Sequence, residues 1–129
     1  QCYNGKQLTQ LARNSLGGKI QQAKEEEKLV FLLFTGSDWY LPSINLEQKV
    51  FQNQRWKDAT SNMLTHICDS PITKELSDEK KRENKRLAQT YNISIPLTAI
   101  ILNGEGKELR RNLGFNGSAA GYIDWALDK

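Results

Sequence analysis

The segment LVFLLFTGSDWYLPSINL, residues 29–46, decides the fold of this chain. Its first six residues are uninterrupted apolar side chains, which is typical of a central strand that is covered on both faces. A turn at residues 35–38 ends that strand, and Trp39 follows directly. Pro42 lies where a helix can begin, because a proline in the first turn lacks only an N–H that would be unpaired there anyway. The segment therefore predicts a buried strand that leads through a tight loop into a helix.

The totals indicate one ordinary globular domain. The chain has 129 residues, of which 38% are hydrophobic and 26% charged, enough for one modest core. The net charge of +3 is too small to indicate nucleic acid as a partner, and basic and acidic residues are interspersed. No apolar stretch approaches the roughly 20 residues that a membrane span needs. We expect a single domain over residues 15–129, preceded by a polar lead-in or edge strand at residues 1–14.

Strand and helix patterns alternate along the rest of the chain. Apolar spacing predicts strands at 29–35, 63–68, 97–102 and 108–113, and helices at about 16–27, from 42, 78–91 and 119–128, with a short further turn at 55–59. Ser15, Ser77 and Ser118 are predicted N-caps of three of these helices. The sequence NGEG at 103–106 predicts a hairpin turn. The order (β)αβαβαββα implies parallel pairing with right-handed crossovers first, then an antiparallel hairpin with a closing helix.

Candidate reactive side chains are few. Cys2 and Cys68 are far apart and fit no metal-ligand spacing, and the chain has no CxxC. Cys68 lies in an apolar segment and is interpreted as a buried, inert thiol, while a pairing with Cys2 stays open because it depends on a distance. His66, the only histidine, is interpreted as a packing or surface residue, so Ser43 has no evident base to activate it. We therefore expect no metal site and no cofactor.

Several motifs, in their order along the chain, resemble the thioredoxin superfamily. The similarity is to small bacterial thioredoxin-like and disulfide-isomerase-like proteins that carry a TGSDWCxxC stretch, and it covers about residues 15–129. The matching segments are TGSDW at 35–39, LAQTYNI at 87–93, IPLT at 95–98, NGEGK at 103–107, LGF at 113–115 and YIDWAL at 122–127. The resemblance implies an α/β thioredoxin-like fold with a central mixed sheet flanked by helices. It also implies a cis-proline loop, at Pro96, before an antiparallel hairpin.

The chain departs from that superfamily at the two redox positions. Tyr40 and Ser43 occupy the places of the CxxC cysteines. Thiol–disulfide exchange needs a thiolate that attacks and a second thiol that resolves the mixed disulfide, and neither hydroxyl can replace them. Phe34 occupies the place of a buried carboxylate that some thioredoxins use as a proton relay. We therefore assign no catalytic residue and expect no thiol–disulfide exchange; whether Tyr40 and Ser43 are natural or engineered is left open by the sequence.

Two functions remain compatible with the resemblance. The superfamily's groove for an extended peptide or protein partner would be formed here by Trp39, Tyr40, Leu41, Ser43, Ile95 and Pro96. Aromatic side chains often anchor interfaces, although Trp39 and Tyr40 can equally be retained for packing alone. The alternative is an enzyme with residual isomerase-like or glutathione-dependent activity. In the latter, the hydroxyl of Ser43 or Tyr40 would activate the thiol of glutathione at the positive end of a helix.

The resemblance also implies a periplasmic or secreted location in a bacterium, because such relatives commonly carry export signals. The chain begins with Gln1 and Cys2 rather than Met, as expected for a processed protein. Cys2 is additionally a candidate lipid-attachment cysteine of a lipoprotein, although Gln1 is a poor residue to precede one. The oligomeric state has no signature in the sequence.

Overall fold

The computed structural model describes residues 15–128, so Cys2 and the lead-in or edge strand predicted at residues 1–14 lie outside the described residues. The strands are β1 (Leu29–Thr35), β2 (Met63–Asp69), β3 (Thr98–Leu102) and β4 (Glu108–Leu113). The helices are α1 (Leu16–Glu26), α2 (Leu41–Leu46), α3 (Gln54–Ala59), α4 (Asp78–Thr90) and α5 (Ala119–Leu127). Within this part of the chain, no helix has the length and apolar character needed to cross a bilayer.

The four strands form one mixed sheet in the order β2-β1-β3-β4. β1 pairs with β2 in parallel and with β3 antiparallel, and β3 pairs with β4 antiparallel. Every residue of β1 after Leu29 is buried, as expected for a strand that is covered on both faces. The predicted mixed sheet with a terminal antiparallel hairpin is therefore confirmed.

Alternate residues of β1 supply two separate cores. Phe31 and Leu33 point to one side, which we call the aromatic face, where α2, α3 and α5 pack. Its buried members are Phe31, Leu33, Leu46, Val50, Trp56, Leu97, Ala99, Ile101, Tyr122, Ile123 and Ala126. The other side, which we call the α1/α4 face, buries Leu16, Ala23, Val30, Leu32, Phe34, Cys68, Leu87, Ile100 and Leu102. This division follows from the two-residue repeat of a strand.

The three predicted N-caps are confirmed. The Oγ atoms of Ser15, Ser77 and Ser118 each accept a hydrogen bond at 3.0–3.1 Å from the backbone N–H three residues later. Helix α2 continues as a π-helical turn, Glu47–Phe51, before α3 begins. The sequence pattern did not predict this wider turn, which contains the fully buried Val50.

The loop before β3 differs from the expectation. No peptide bond within residues 15–128 is cis, so the Ile95–Pro96 bond is trans and the expected cis-proline is not present in this structure. Trans is the lower-energy isomer of an X–Pro bond by roughly 0.5–1 kcal/mol. The loop satisfies its backbone in this form, since Thr98 Oγ1 donates to the Ile95 carbonyl at 3.0 Å and the Gly114 N–H donates to the Leu97 carbonyl at 2.8 Å.

Candidate functional site

The loop after β1 is built around the indole of Trp39. The ring lies directly on Gly36, where a Cβ atom would stand only 2.5 Å from the indole carbon Cε2. Any larger residue at position 36 would therefore displace the ring. Trp39 Nε1 donates a hydrogen bond of 2.7 Å to the Ser70 carbonyl, while 42% of the residue stays exposed. Trp39 thus joins the end of β1 to the loop that follows β2.

Two carboxylates fix these loops together. Asp38 accepts hydrogen bonds of 2.9 Å from the N–H groups of Ile72 and Thr73, and a further one from the Thr73 hydroxyl. That hydroxyl and the two N–H groups lower the pKa of Asp38 to about 2. Asp69 accepts from the N–H of Ser37 at 3.0 Å and from its hydroxyl. Sequence reasoning missed both residues, because their partners lie more than 30 positions away and leave no local pattern.

The two positions that correspond to the CxxC cysteines are turned toward the protein. Ser43 is 3% exposed, and its Oγ accepts a long hydrogen bond of 3.4 Å from the Gly36 N–H. Tyr40 is half-buried, packs against the aromatic face and makes an edge contact with Trp39, with ring centroids 5.6 Å apart. The large exposed side chains here are therefore the indole of Trp39 and the hydrocarbon of Leu41, not the groups at positions 40 and 43.

A cavity of about 650 Å³ adjoins this loop. It lies between α4, the ends of β1 and β2, and the loop at residues 70–76. Of the predicted groove residues, the structure brings Trp39, Ile95 and Pro96 together on the wall of this cavity. Tyr40 and Ser43 are packed elsewhere, and Leu41 is 65% exposed at the start of α2.

Cys68 lies on the inner wall of the same cavity. It is a free thiol that is 2% exposed. Burial raises the pKa of this thiol to about 12, so the thiolate is essentially absent at neutral pH. The predicted burial of Cys68 is confirmed.

His66 is a packing residue in a small polar cluster under α1 and α4. It is 1% exposed, with Nδ1 3.2 Å from Lys19 Nζ and Nε2 3.4 Å from Glu83 Oε1. Because an ammonium only donates, Nδ1 is the acceptor and the ring proton is assigned to Nε2. Burial, together with the charge of Lys19, lowers the pKa of His66 to about 4. The ring is therefore neutral at neutral pH, and its contacts are to Lys19 and Glu83 rather than to Ser43.

The described part of the chain contains no metal-binding cluster. Within residues 15–128, no group of three or more His, Cys, Asp or Glu side chains is arranged to hold a metal ion. The arrangement is a pair of loops joined by hydrogen bonds, with an exposed indole and an adjoining cavity.

Comparison with known proteins gives related folds. The chain is 27% identical over 106 residues to a disulfide bond reductase, DsbH, of Chlamydia pneumoniae, which is 81% of this chain but only 63% of that relative's length. The chain thus covers less than two thirds of this curated relative. No known protein-family profile matches the sequence.

Solved structures superpose on 81–99% of this chain. A DsbH oxidoreductase structure matches with a TM-score of 0.78 and 23% identity, covering 99% of this chain and 95% of that one. The oxidised C-terminal domain of Neisseria meningitidis DsbD matches with a TM-score of 0.62 and 20% identity over 83% of this chain and 85% of its own. The exposed lipoprotein thioredoxin Etrx1 of Streptococcus pneumoniae matches with a TM-score of 0.55 and 18% identity, covering 81% and 87%.

The structural similarity agrees with the mixed four-stranded sheet of this chain. With its mixed four-stranded sheet flanked by helices, the chain has a thioredoxin-like fold.

Proposed function

We propose that this chain does not exchange thiols and disulfides, and instead binds an extended segment of a peptide or protein partner at the loop end of its sheet. The observation that carries the proposal is the state of the two CxxC positions. Ser43 is buried with its hydroxyl facing the Gly36 N–H, and Tyr40 packs against the aromatic face. Neither side chain can form or resolve a mixed disulfide.

Cys68 does not replace the missing sulfurs. A thiol must be accessible and partly ionised to attack a disulfide, and Cys68 is 2% exposed with a pKa of about 12. Its neighbours also give no second thiol to resolve an intermediate, since Cys68 is the only cysteine within residues 15–128. The relative from Chlamydia pneumoniae is named a disulfide bond reductase, and we infer that this chain keeps the fold without that reaction.

The surface at the same loops supports binding. Trp39, Leu41 and Ile72 are large apolar side chains with 42%, 65% and 71% of their areas exposed. The hydrogen bonds of Asp38 and Trp39 hold the two loops together. Binding of a partner therefore costs little conformational entropy in these loops. A rigid exposed indole surrounded by apolar side chains is a frequent kind of interface anchor.

The glutathione-dependent alternative is less well supported. A hydroxyl that activates a thiol has to reach it directly, and Ser43 is buried beneath the loop. A periplasmic or secreted location remains part of the proposal, because the structural neighbours include an exposed lipoprotein thioredoxin.

Selection of peptides from a random displayed library on the full chain tests the binding function. We expect Trp39→Ala to lower the affinity for the selected peptides by about tenfold or more, since truncation of an aromatic anchor typically costs much binding free energy. Leu109→Ala is the matched control, because Leu109 is also 42% exposed but lies at the hairpin end of β4, at the opposite end of the sheet. Fluorescence anisotropy gives both affinities, and circular dichroism checks that each variant is folded.

A library that yields no binder, or binders whose affinity falls equally with Trp39→Ala and Leu109→Ala, would overturn the binding function. It would leave the absence of thiol chemistry untouched.

A further inference from the structure

The cavity under α4 has the size of a ligand site. Its volume of about 650 Å³ lies within the roughly 300–1,000 Å³ that small-molecule sites span. A cavity of roughly 150 Å³ already holds benzene. The space therefore takes a ligand considerably larger than a single amino-acid side chain.

The inner wall of this cavity is apolar. Phe34 and Cys68 come from the ends of β1 and β2, and Ala88 and Ile93 come from α4 and the turn after it. Cys68 acts as a small apolar side chain here, because its thiol stays protonated. Such a wall favours a hydrocarbon chain.

Asn84 adds one specific polar group to the wall. It is 8% exposed, and its Nδ2 donates to the Asp69 carbonyl at 3.0 Å. Its Oδ1 is buried and accepts no hydrogen bond from any group in residues 15–128. Buried amide oxygens almost always have a donor, so the site favours a ligand that carries an N–H or O–H.

The remaining charged residues of the wall favour an anion. Lys74, Lys81 and Lys85 line the cavity, and Glu75 is the one acidic residue beside them. Lys81, Lys85 and Ala88 recur at helical spacing with Asn84, which places them on one face of α4. The lysines are exposed, so they lie at the mouth of the cavity while the apolar wall lies inside.

We propose that this cavity binds a small amphipathic carboxylate in which an acyl chain is joined to the acid through an amide, as in an N-acyl amino acid. The acyl chain occupies the wall at Phe34, Cys68 and Ala88. The amide N–H donates to Asn84 Oδ1, and the carboxylate lies beside Lys81 and Lys85. This ligand differs in chemistry from the peptide of the proposed function, although Trp39 and Ile72 border both sites.

Isothermal titration of the full chain with N-decanoylglycine, below its micelle concentration, tests the assignment. Decanoate lacks the amide donor and N-decanoylglycinamide lacks the charge, so we expect each to bind at least tenfold more weakly. Equal binding of decanoate or no binding of N-decanoylglycine would overturn the proposal.

Variants on α4 locate the site. We expect the double variant Lys81→Gln/Lys85→Gln to lose at least tenfold in affinity. The matched control Arg82→Gln/Arg86→Gln removes the same charge from the same helix, outside the cavity wall, and should bind as the unmodified chain does. Equal losses of affinity in the two double variants would mean that the ligand responds only to the positive charge of the helix as a whole, and would overturn the assignment.

Two further variants separate the ligand cavity from the peptide-binding surface. Asn84→Leu should reduce the affinity for N-decanoylglycine to that for decanoate, and thermal unfolding shows whether this variant is folded. Leu41→Asp lies outside the cavity, so it should weaken a bound peptide and leave N-decanoylglycine unaffected. Failure of the peptide function and failure of the ligand site are thereby distinguishable.

Discussion

The two faces of the central sheet are built from alternate residues of the same strands but differ in what they bury. On the aromatic face, the ring of Phe31 lies 5.1 Å from that of Trp56, which lies 5.6 Å from Tyr122. Apart from the hydroxyl of Tyr122, whose pKa burial raises above its usual value, this cluster is hydrocarbon and indole. The α1/α4 face instead holds the polar cluster around His66 and the cavity beside Asn84.

The contrast indicates that the two faces of the sheet have different roles. Close packing of rings is a stabilising arrangement that tolerates little change. Buried polar groups and unfilled volume are costly, and they are found where a protein binds something or responds to pH. We therefore expect mutations on the aromatic face to act on stability, and mutations on the α1/α4 face to act on binding and pH dependence.

The largest effect that separates the two faces is the loss of a phenyl ring. Phe31→Ala should lower the free energy of unfolding by about 3–5 kcal/mol, because the ring has aromatic partners on the closed face. Phe34→Ala should cost at least about 1 kcal/mol less, since Phe34 borders the cavity and so has fewer contacts to lose. Denaturant unfolding measures both variants. Equal losses would mean that the cavity is closed in solution and that the two faces pack alike.

A smaller effect is the pH dependence that His66 adds to stability. Its pKa is about 4 in the folded chain, against about 6.5 when exposed, so the unfolded state takes up the proton first. Above about pH 6.5 the ring is neutral in both the folded and the unfolded state and adds no pH dependence. The free energy of unfolding falls as the pH drops from 6.5 to 4, by at most about 1.4 kcal/mol per pH unit.

His66→Gln should remove that part of the slope, because an amide keeps hydrogen-bonding groups near Lys19 and Glu83 but does not titrate. Carboxylates titrate in the same range, so the quantity to compare is the difference between the two unfolding profiles. The contribution of Asp38, which is lost as the pH falls from about 5 toward 2, cancels in this difference because both proteins carry Asp38. Parallel profiles for His66→Gln and the unmodified chain would contradict a neutral, buried ring.

Local signals in the sequence predicted much of this fold. The serine caps, the apolar run of β1 and the hairpin at Asn103 are all short-range features. Asn103 Oδ1 accepts from the N–H groups of Glu105 and Lys107, and Gly106 adopts a φ of +80° in that turn. Motif order along the chain predicted the thioredoxin-like fold, and the replacement of both sulfurs was visible directly from Tyr40 and Ser43.

Features that depend on long-range contact were not predictable. The sequence indicates only that Asp38 lies in a turn, and the fold brings it to Ile72 and Thr73. His66 alternates with exposed residues in β2, so its burial depends on α1 and α4 packing over it. The cavity has no sequence signature at all, because its wall combines residues from five separate segments. The π-helical turn at Glu47–Phe51 likewise lacked a recognisable pattern.

The central claim, that this thioredoxin fold has lost its thiol chemistry at positions 40 and 43, is tested most directly by insulin reduction in the presence of dithiothreitol. The unmodified chain should give the same rate as dithiothreitol alone. The double variant Tyr40→Cys/Ser43→Cys should exceed that rate, and adding Cys68→Ser to the double variant should leave its rate unchanged. Turnover by the unmodified chain above that of dithiothreitol alone would contradict the account.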